Sequence, residues 1–137
     1  MLVLTQEFIS RADLQNNPEY LYLFGDNLSR WGKAGQAQEM RGEPNAFGIA
    51  TKRSISRGYP YDYFFDGDQD AYEYIEADFD KLEYVLSSGK YKAVVVPSQG
   101  LGTGLARLPQ NAPRLYKYIA DRIERLKGIE HEETGPE

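Results

Sequence analysis

Residues 20–52, YLYLFGDNLSRWGKAGQAQEMRGEPNAFGIATK, contain two apolar runs that are separated by loops rich in glycine and polar residues. The first run, residues 20–24, has the length and the aromatic content of a buried strand. The turn formers at residues 25–27 predict that this strand ends there. Residues 36–40 are good helix formers, and residues 47–51 resume a strand-like pattern. The stretch therefore predicts a strand, a polar loop, a short helix and a second strand.

Patterns on both sides of this stretch predict the remaining strands and helices. Residues 1–4 predict an edge strand, and residues 10–17 predict a short helix with a serine at its N-terminal cap. Apolar residues that recur every three or four positions predict a long helix over residues 70–86. Residues 91–96 include three consecutive valines, which is typical of a strand buried on both faces. Residues 111–128 predict a last helix.

The alternation of strands and helices predicts the fold class. It favours a three-layer α/β/α domain over residues 1–128, with a mainly parallel mixed sheet. Residues 129–137 are acidic and predict a disordered tail. The two loops richest in glycine, residues 25–35 and 98–105, each follow a strand and precede a helix. In a parallel sheet such loops can meet at the carboxyl edge and form one cleft.

The composition argues against several kinds of site. The 137 residues include no cysteine, so neither a disulfide nor a thiolate metal site can form. The single histidine, His131, lies in the predicted tail, which argues against histidine catalysis and a histidine-rich metal site. We therefore predict no metal and no cofactor. Much of the formal net charge of −5 comes from the same tail, and the nearly neutral remainder argues against a broad nucleic-acid surface.

The distribution of apolar residues bears on localisation. No apolar run approaches membrane-spanning length, and the first residues lack a signal-peptide pattern. The sequence therefore predicts a cytoplasmic protein without a membrane partner. It leaves the oligomeric state open.

The glycine-rich segments resemble those of a known family. Residues 94–104, VVVPSQGLGTG, resemble the macrodomain segment in which a buried strand leads to a proline and a GxG phosphate loop. Residues 35–39, GQAQE, are similar to the macrodomain glycine loop with its following helix, and their Gln-Glu pair resembles part of the poly(ADP-ribose) glycohydrolase signature. The segments FGDN, GQA, MRGEPN and GLGTGLA together also resemble a family of small, largely uncharacterised bacterial and phage proteins.

This resemblance implies a macrodomain-like fold that binds a small-molecule nucleotide, ADP-ribose or a related NAD-derived compound, between the two glycine loops. Asp26 would accept hydrogen bonds from the adenine amino group or a ribose. Backbone amides of the second loop would hold the diphosphate, and residues of the first helix would face the distal ribose. The implied ligand-binding residues are Asp26, Asn27, Gly35, Gln36, Arg41, Asn45, Gly100, Gly102, Thr103 and Gly104.

Three functions are compatible with these residues. An ADP-ribosyl hydrolase would use Glu39 or Asp26 as its acid or base, because no cysteine nucleophile or active-site histidine is available. A non-catalytic protein would instead sequester a nucleotide signal. An interaction module would dock a protein partner through the aromatic segment at residues 59–65.

The same residues also have purely structural interpretations. Asp26 and Asn27 are common in Asx-turns. Arg41 and Glu43 can form an ion pair that holds the loop. The aromatic segment is equally suited to stacking on a base and to packing beneath a loop.

Overall fold

The computed structural model describes residues 1–130, which fold around a four-stranded β-sheet. The strands are β1 (Leu2–Gln6), β2 (Tyr20–Asn27), β3 (Ala46–Lys52) and β4 (Ala93–Pro97). Their order in the sheet is β1-β4-β2-β3, and each neighbouring pair is parallel. The predicted α/β class is confirmed. The described strands form an all-parallel sheet instead of the mixed sheet that the sequence suggested.

Helices connect the strands in the described part of the chain. They are α1 (Arg11–Asn16), α2 (Ala37–Met40), α3 (Gln69–Ser87), α4 (Leu108–Asn111) and α5 (Pro113–Arg125), and a 3-10 turn at Leu126–Gly128 follows α5. The Ser10 hydroxyl accepts a hydrogen bond from the Asp13 nitrogen, and the Asp13 carboxylate accepts one from the Ser10 nitrogen. This capping box confirms the predicted start of α1. The single turn α4 has no counterpart among the predicted helices.

Helices cover both faces of the sheet. Helices α3 and α5 pack on one face, against Val94 and Val96 of β4. Helices α1 and α2 lie on the other face, against Val95 and Tyr22. Successive side chains of a strand point to opposite faces, so the valines of β4 contribute to both layers. This explains why β4 is buried along its whole length.

Strand β2 extends three residues beyond its predicted end. Gly25 and Asp26 pair with Ile49 and Ala50 of β3, and the register shifts between Asp26 and Asn27. The predicted turn formers are therefore the last residues of a strand. They lie at the carboxyl edge of the sheet, where the loops after β2, β3 and β4 begin.

Asn45 is a buried polar residue immediately before β3. The carbonyl oxygens of Leu14 (3.0 Å), Asn17 (3.1 Å) and Tyr20 (3.0 Å) lie within hydrogen-bond distance of its Nδ2 and share its two hydrogens. These carbonyls belong to α1, to the connection that follows it and to the first residue of β2. Asn45 therefore holds that connection against the sheet.

Contacts at the end of the described chain extend just past the predicted domain boundary. Ile129 packs against the hydrophobic core, and the Met1 ammonium donates a hydrogen bond to its carbonyl oxygen (2.8 Å). The rest of the predicted tail, residues 131–137, lies outside the described residues. Among residues 1–130, no helix is both long enough and apolar enough to cross a lipid bilayer.

The role of Asn45 can be tested by substitution. Asn45→Ala should lower the free energy of unfolding by about 2 kcal/mol, because buried carbonyl oxygens lose their donor. Asn16→Ala is the matched control, since the Asn16 side chain is exposed on α1, and it should change stability by less than about 0.5 kcal/mol. Urea denaturation measures both variants. Equal stability of the two variants would contradict this role.

Candidate functional site

A cavity of about 630 Å³ opens at the carboxyl edge of the sheet. Its walls are the ends of β2 and β3, the loop at residues 28–36 and the glycine-rich loop at residues 99–106. Residues 54–57, which follow β3, complete it. We call this space the main cavity. Because β2 and β4 are parallel neighbours, the loops that follow them border the same space, as the order of elements predicts.

Glycines allow the end of β2 to touch the loop after β4. A Cβ atom at Gly25 would lie 3.0 Å from Thr51 Oγ1 and 3.1 Å from the Gly102 nitrogen. At Gly102, φ is +79°, and a Cβ atom there would lie 3.0 Å from Leu108 Cβ. Thr51 Oγ1 also donates a hydrogen bond to the Asp26 carbonyl oxygen (3.2 Å). A side chain at either glycine would therefore force the two loops apart.

Asp26 and Arg41 form an ion pair in the wall of the main cavity. The Asp26 side chain is 4% exposed and that of Arg41 is 19% exposed. Arg41 Nη1 lies 3.3 Å from Asp26 Oδ2, and Nη2 bonds Oδ1. Arg41 Nε donates to the Gly32 carbonyl oxygen (2.6 Å), and its guanidinium lies over the Phe24 ring. The pair therefore joins β2 to the chain after α2 and to the first loop.

A second ion pair fixes the first loop from helix α3. Arg30 Nη2 donates to both carboxylate oxygens of Asp78 at 2.8 Å. Asp78 Oδ2 also accepts a hydrogen bond from the Ala50 nitrogen of β3 (2.7 Å). Gly48 leaves room for Asp26 beside this pair, since a Cβ atom there would lie 2.7 Å from Asp26 Oδ2.

Cationic side chains outnumber anionic ones around the main cavity. Its lining includes Lys33, Arg41, Lys52 and Arg57, against the single carboxylate of Asp26. Because Asp26 is paired with Arg41, the other three cations set the charge of the cavity. Within residues 1–130, no group of three or more acidic or histidine side chains is placed to hold a metal ion.

Lys52 is a buried lysine at the carboxyl end of β3, with 7% exposure. Its Nζ donates to the carbonyl oxygens of Ser54 (3.0 Å) and Ser56, and it lies 4.7 Å from the centroid of the Tyr63 ring. Burial lowers the pKa of the Lys52 ammonium from its ordinary value. Lys52 therefore brings a partly desolvated positive charge to the cavity wall.

Apolar side chains also border the main cavity. Trp31, the single tryptophan of the chain, is 59% exposed, and Ile55, which lines the same cavity, is 41% exposed. The predicted aromatic segment divides into two parts. Tyr63 and neighbouring Phe64 are buried in the fold, whereas Tyr59 is 71% exposed. Packing within the fold therefore holds for Tyr63 and Phe64, whereas stacking on a base stays a prediction for the exposed Tyr59.

Comparison with known proteins places the chain in a family. Residues 4–122 match the Family of unknown function (DUF7831). The chain belongs to this family. The match includes every residue that lines the main cavity. No curated protein and no solved structure matches the chain significantly, so the macrodomain resemblance rests on the sequence segments alone.

In this member of the family, most of the predicted ligand-binding residues border one space. Those that line the main cavity are Asp26, Asn27, Gly35, Gln36, Arg41, Gly102, Thr103 and Gly104. Gly100 lies outside the lining, and a Cβ atom there would be 2.6 Å from the Tyr116 hydroxyl. Asn45 also lies outside the cavity lining, where its side chain bonds the Leu14 carbonyl oxygen of α1. Asn27 forms an Asx-turn, which the sequence analysis gave as its structural interpretation: its Oδ1 accepts a hydrogen bond from the Ser29 nitrogen (2.8 Å).

Glu39 and Glu43 contact helix α1. Glu39 Oε2 accepts a hydrogen bond from the Arg11 nitrogen (3.0 Å), and the side chain does not line the main cavity. Glu43 forms an ion pair with Arg11 at 2.7 Å. The interpretation of Arg41 and Glu43 as a pair is therefore wrong, because Arg41 bonds Asp26 instead.

Several cavity residues have no place among the predicted site residues. They are Trp31, Lys33, Lys52 and Arg57. Signals in the sequence point to three of these four residues. Trp31 and Lys33 lie in the first glycine loop itself, and Lys52 follows β3 much as Asp26 ends β2. Arg57 carries no local signal, because an arginine in a polar loop is usually solvated.

The coupling between Asp26 and Arg41 can be measured. Asp26→Ala should lower the free energy of unfolding by about 3 kcal/mol, because it leaves the poorly solvated Arg41 without its partner. Arg41→Ala should cost about 2 kcal/mol, because Arg30 Nη1 still lies 3.9 Å from Asp26 Oδ2. The double variant should lose less than the sum of the single losses, with a coupling energy of about 2 kcal/mol. Denaturant unfolding of the four proteins gives this value. Additive losses would show that the pair does not stabilise the fold.

Proposed function

We propose that the protein binds ADP-ribose or a related NAD-derived nucleotide in the main cavity. The observation that carries this proposal is the charge of the lining. A chain with a formal net charge of −5 places four cationic side chains and one carboxylate around a single space. Such a focus of positive charge attracts a small anion.

The size and position of the cavity agree with a nucleotide ligand. Its volume of about 630 Å³ lies within the range of about 300–1,000 Å³ that is usual for small-molecule sites. Ligands of parallel α/β proteins bind at the carboxyl ends of the strands, where the main cavity lies. The likeness of its two glycine loops to macrodomain loops points to the same ligand class.

The second glycine loop supplies backbone for a diphosphate. No atom lies within 4 Å of a Cβ atom built at Gly104, so the backbone there borders open space. Lys33 and Arg57 are exposed cations in the same lining. Backbone amides and cations together form the usual environment of a bound phosphate. Gly102, in contrast, is enclosed by Leu108 and shapes the loop from within.

Trp31 is suited to contact the base. An exposed indole beside a cationic cavity presents a flat face on which an adenine ring can stack. The neighbouring Ile55 extends this apolar surface. Asp26 has only a small exposed area for a hydrogen bond to adenine, because Arg41 occupies both of its carboxylate oxygens.

The arrangement of carboxylates favours binding without turnover. A general base must be within hydrogen-bond reach of the water or hydroxyl that it activates. Glu39 is held by the Arg11 nitrogen outside the cavity lining. Asp26 also accepts a hydrogen bond from the Asn27 nitrogen in addition to its bonds with Arg41. A protein that sequesters or senses a nucleotide fits this arrangement better than a hydrolase.

Ligand binding should be visible by two methods. ADP-ribose should raise the melting temperature, because it binds only the native state, and it should change the fluorescence of Trp31. NAD, cyclic ADP-ribose and adenosine should be compared with it. Lys33→Gln should weaken ADP-ribose binding about tenfold, the loss of roughly 1.5 kcal/mol expected for one charge-assisted hydrogen bond.

Lys81→Gln is the matched control, because Lys81 is an exposed residue of α3 outside the cavity. It removes the same charge and should leave the affinity unchanged. If no anionic nucleotide shifts the melting temperature or the fluorescence, the proposed function is wrong. If adenosine binds as well as ADP-ribose, the cationic lining does not recognise the ligand.

Turnover is a separate test. After long incubation, free ADP-ribose, NAD and an ADP-ribosylated protein should all be recovered intact by chromatography, because no unpaired carboxylate lines the main cavity among residues 1–130. Release of ADP-ribose from the modified protein would show that the protein is a hydrolase. In that case Glu39→Gln and Asp26→Asn would identify the base.

A further inference from the structure

A second, smaller pocket lies beside the main cavity. Its volume is about 410 Å³, and Arg57 lines both spaces. The other lining residues are Tyr59, Tyr63, Arg107 and Asn111. We call this space the arginine pocket. Nothing in the family description assigns it a role.

The charges of the arginine pocket are not balanced within the described residues. In residues 1–130, no carboxylate lies within salt-bridge distance of Arg57 or Arg107. The Nζ of buried Lys52 lies 4.7 Å from the centroid of the Tyr63 ring, and Tyr63 lines the pocket. Burial lowers the pKa of Lys52; the nearby carboxylate of Asp62 raises it, and Arg57 lowers it. Arg57 and Arg107 therefore border one pocket without a paired carboxylate, and an anion bound there would relieve their mutual repulsion.

The backbone presents Arg107 from a fixed position. Arg107 has φ +50°, a left-handed conformation that is unfavourable for a residue other than glycine. Its nitrogen donates to the Gly104 carbonyl oxygen (3.1 Å), and its carbonyl oxygen accepts from the Asn111 nitrogen (2.9 Å). The single turn of α4 thus holds Asn111 beside Arg107. Local strain of this kind is common at ligand sites.

We propose that the arginine pocket is a second anion subsite, which binds an additional phosphoryl group of the nucleotide in the main cavity. The guanidinium groups of Arg57 and Arg107 can each donate two hydrogen bonds to one phosphoryl group. The Asn111 amide and the Tyr59 hydroxyl are further donors in the lining. Arg57 borders both spaces, so one continuous ligand can occupy them. The ligand class is then a nucleotide with a phosphoryl group beyond its diphosphate.

This inference rests on the proposed function of the main cavity, and its test compares ligands that differ by one phosphoryl group. Calorimetry should be performed with ADP, ATP, pyrophosphate and tripolyphosphate at constant ionic strength and without divalent cations. Wild-type protein should bind ATP about tenfold more tightly than ADP, the gain expected from one charged contact. In Arg107→Gln this ratio should fall towards one, while the affinity for ADP stays the same.

Arg114→Gln is the matched control, because Arg114 is exposed on α5 and lines neither space. It should keep the wild-type ratio. An unchanged ratio in Arg107→Gln, or equal binding of ADP and ATP by wild type, overturns the inference. If wild type binds neither ADP nor ATP, the two inorganic anions decide the subsite alone, and the ADP-ribose measurements described above decide the proposed function separately. Tighter binding of tripolyphosphate than of pyrophosphate that is lost in Arg107→Gln then supports the second subsite. Equal binding of the two anions by wild type overturns it.

Discussion

The backbone of Gly25 lies against the backbone of Gly102, and the walls of the main cavity depend on this contact. The loops that follow neighbouring parallel strands begin next to each other. They stay in contact only where no side chain lies between them. Thr51 and Leu108 fill the space around the contact. The glycines of the chain therefore differ in role. Gly25 and Gly102 permit close packing, whereas Gly104 borders open space.

Pairing of charges decides which cations of the cavity can act on a ligand. Asp26 neutralises Arg41 and draws it into the wall, so this pair serves the structure. Lys33 and Arg57 have no carboxylate partner within the described residues, and the ammonium of Lys52 bonds only to carbonyl oxygens. A carbonyl oxygen reduces the cost of burying a charge but does not cancel it. The positive field of the cavity therefore comes from these three residues.

Local patterns in the sequence predicted the four strands, the helices other than α4, and the meeting of the two loops. Periodicity and turn formers depend on residues close in the chain. They did not predict the orientation of Glu39, which is set by Arg11, 28 residues earlier. Nor did they distinguish Asn45, a buried polar residue that bonds α1, from a polar loop residue. Such contacts depend on how distant elements pack. The fold class was therefore predictable, and the site only in part.

Asp78 affects the edge of the sheet as well as the first loop. An edge strand such as β3 offers free N–H and C=O groups, to which a strand of another chain can add. The carboxylate of Asp78 accepts the Ala50 N–H, and Arg30 approaches the Gly48 carbonyl oxygen at 3.5 Å. A foreign strand would have to displace these charged side chains to pair there. The ion pair that holds the loop thus also discourages aggregation through β3.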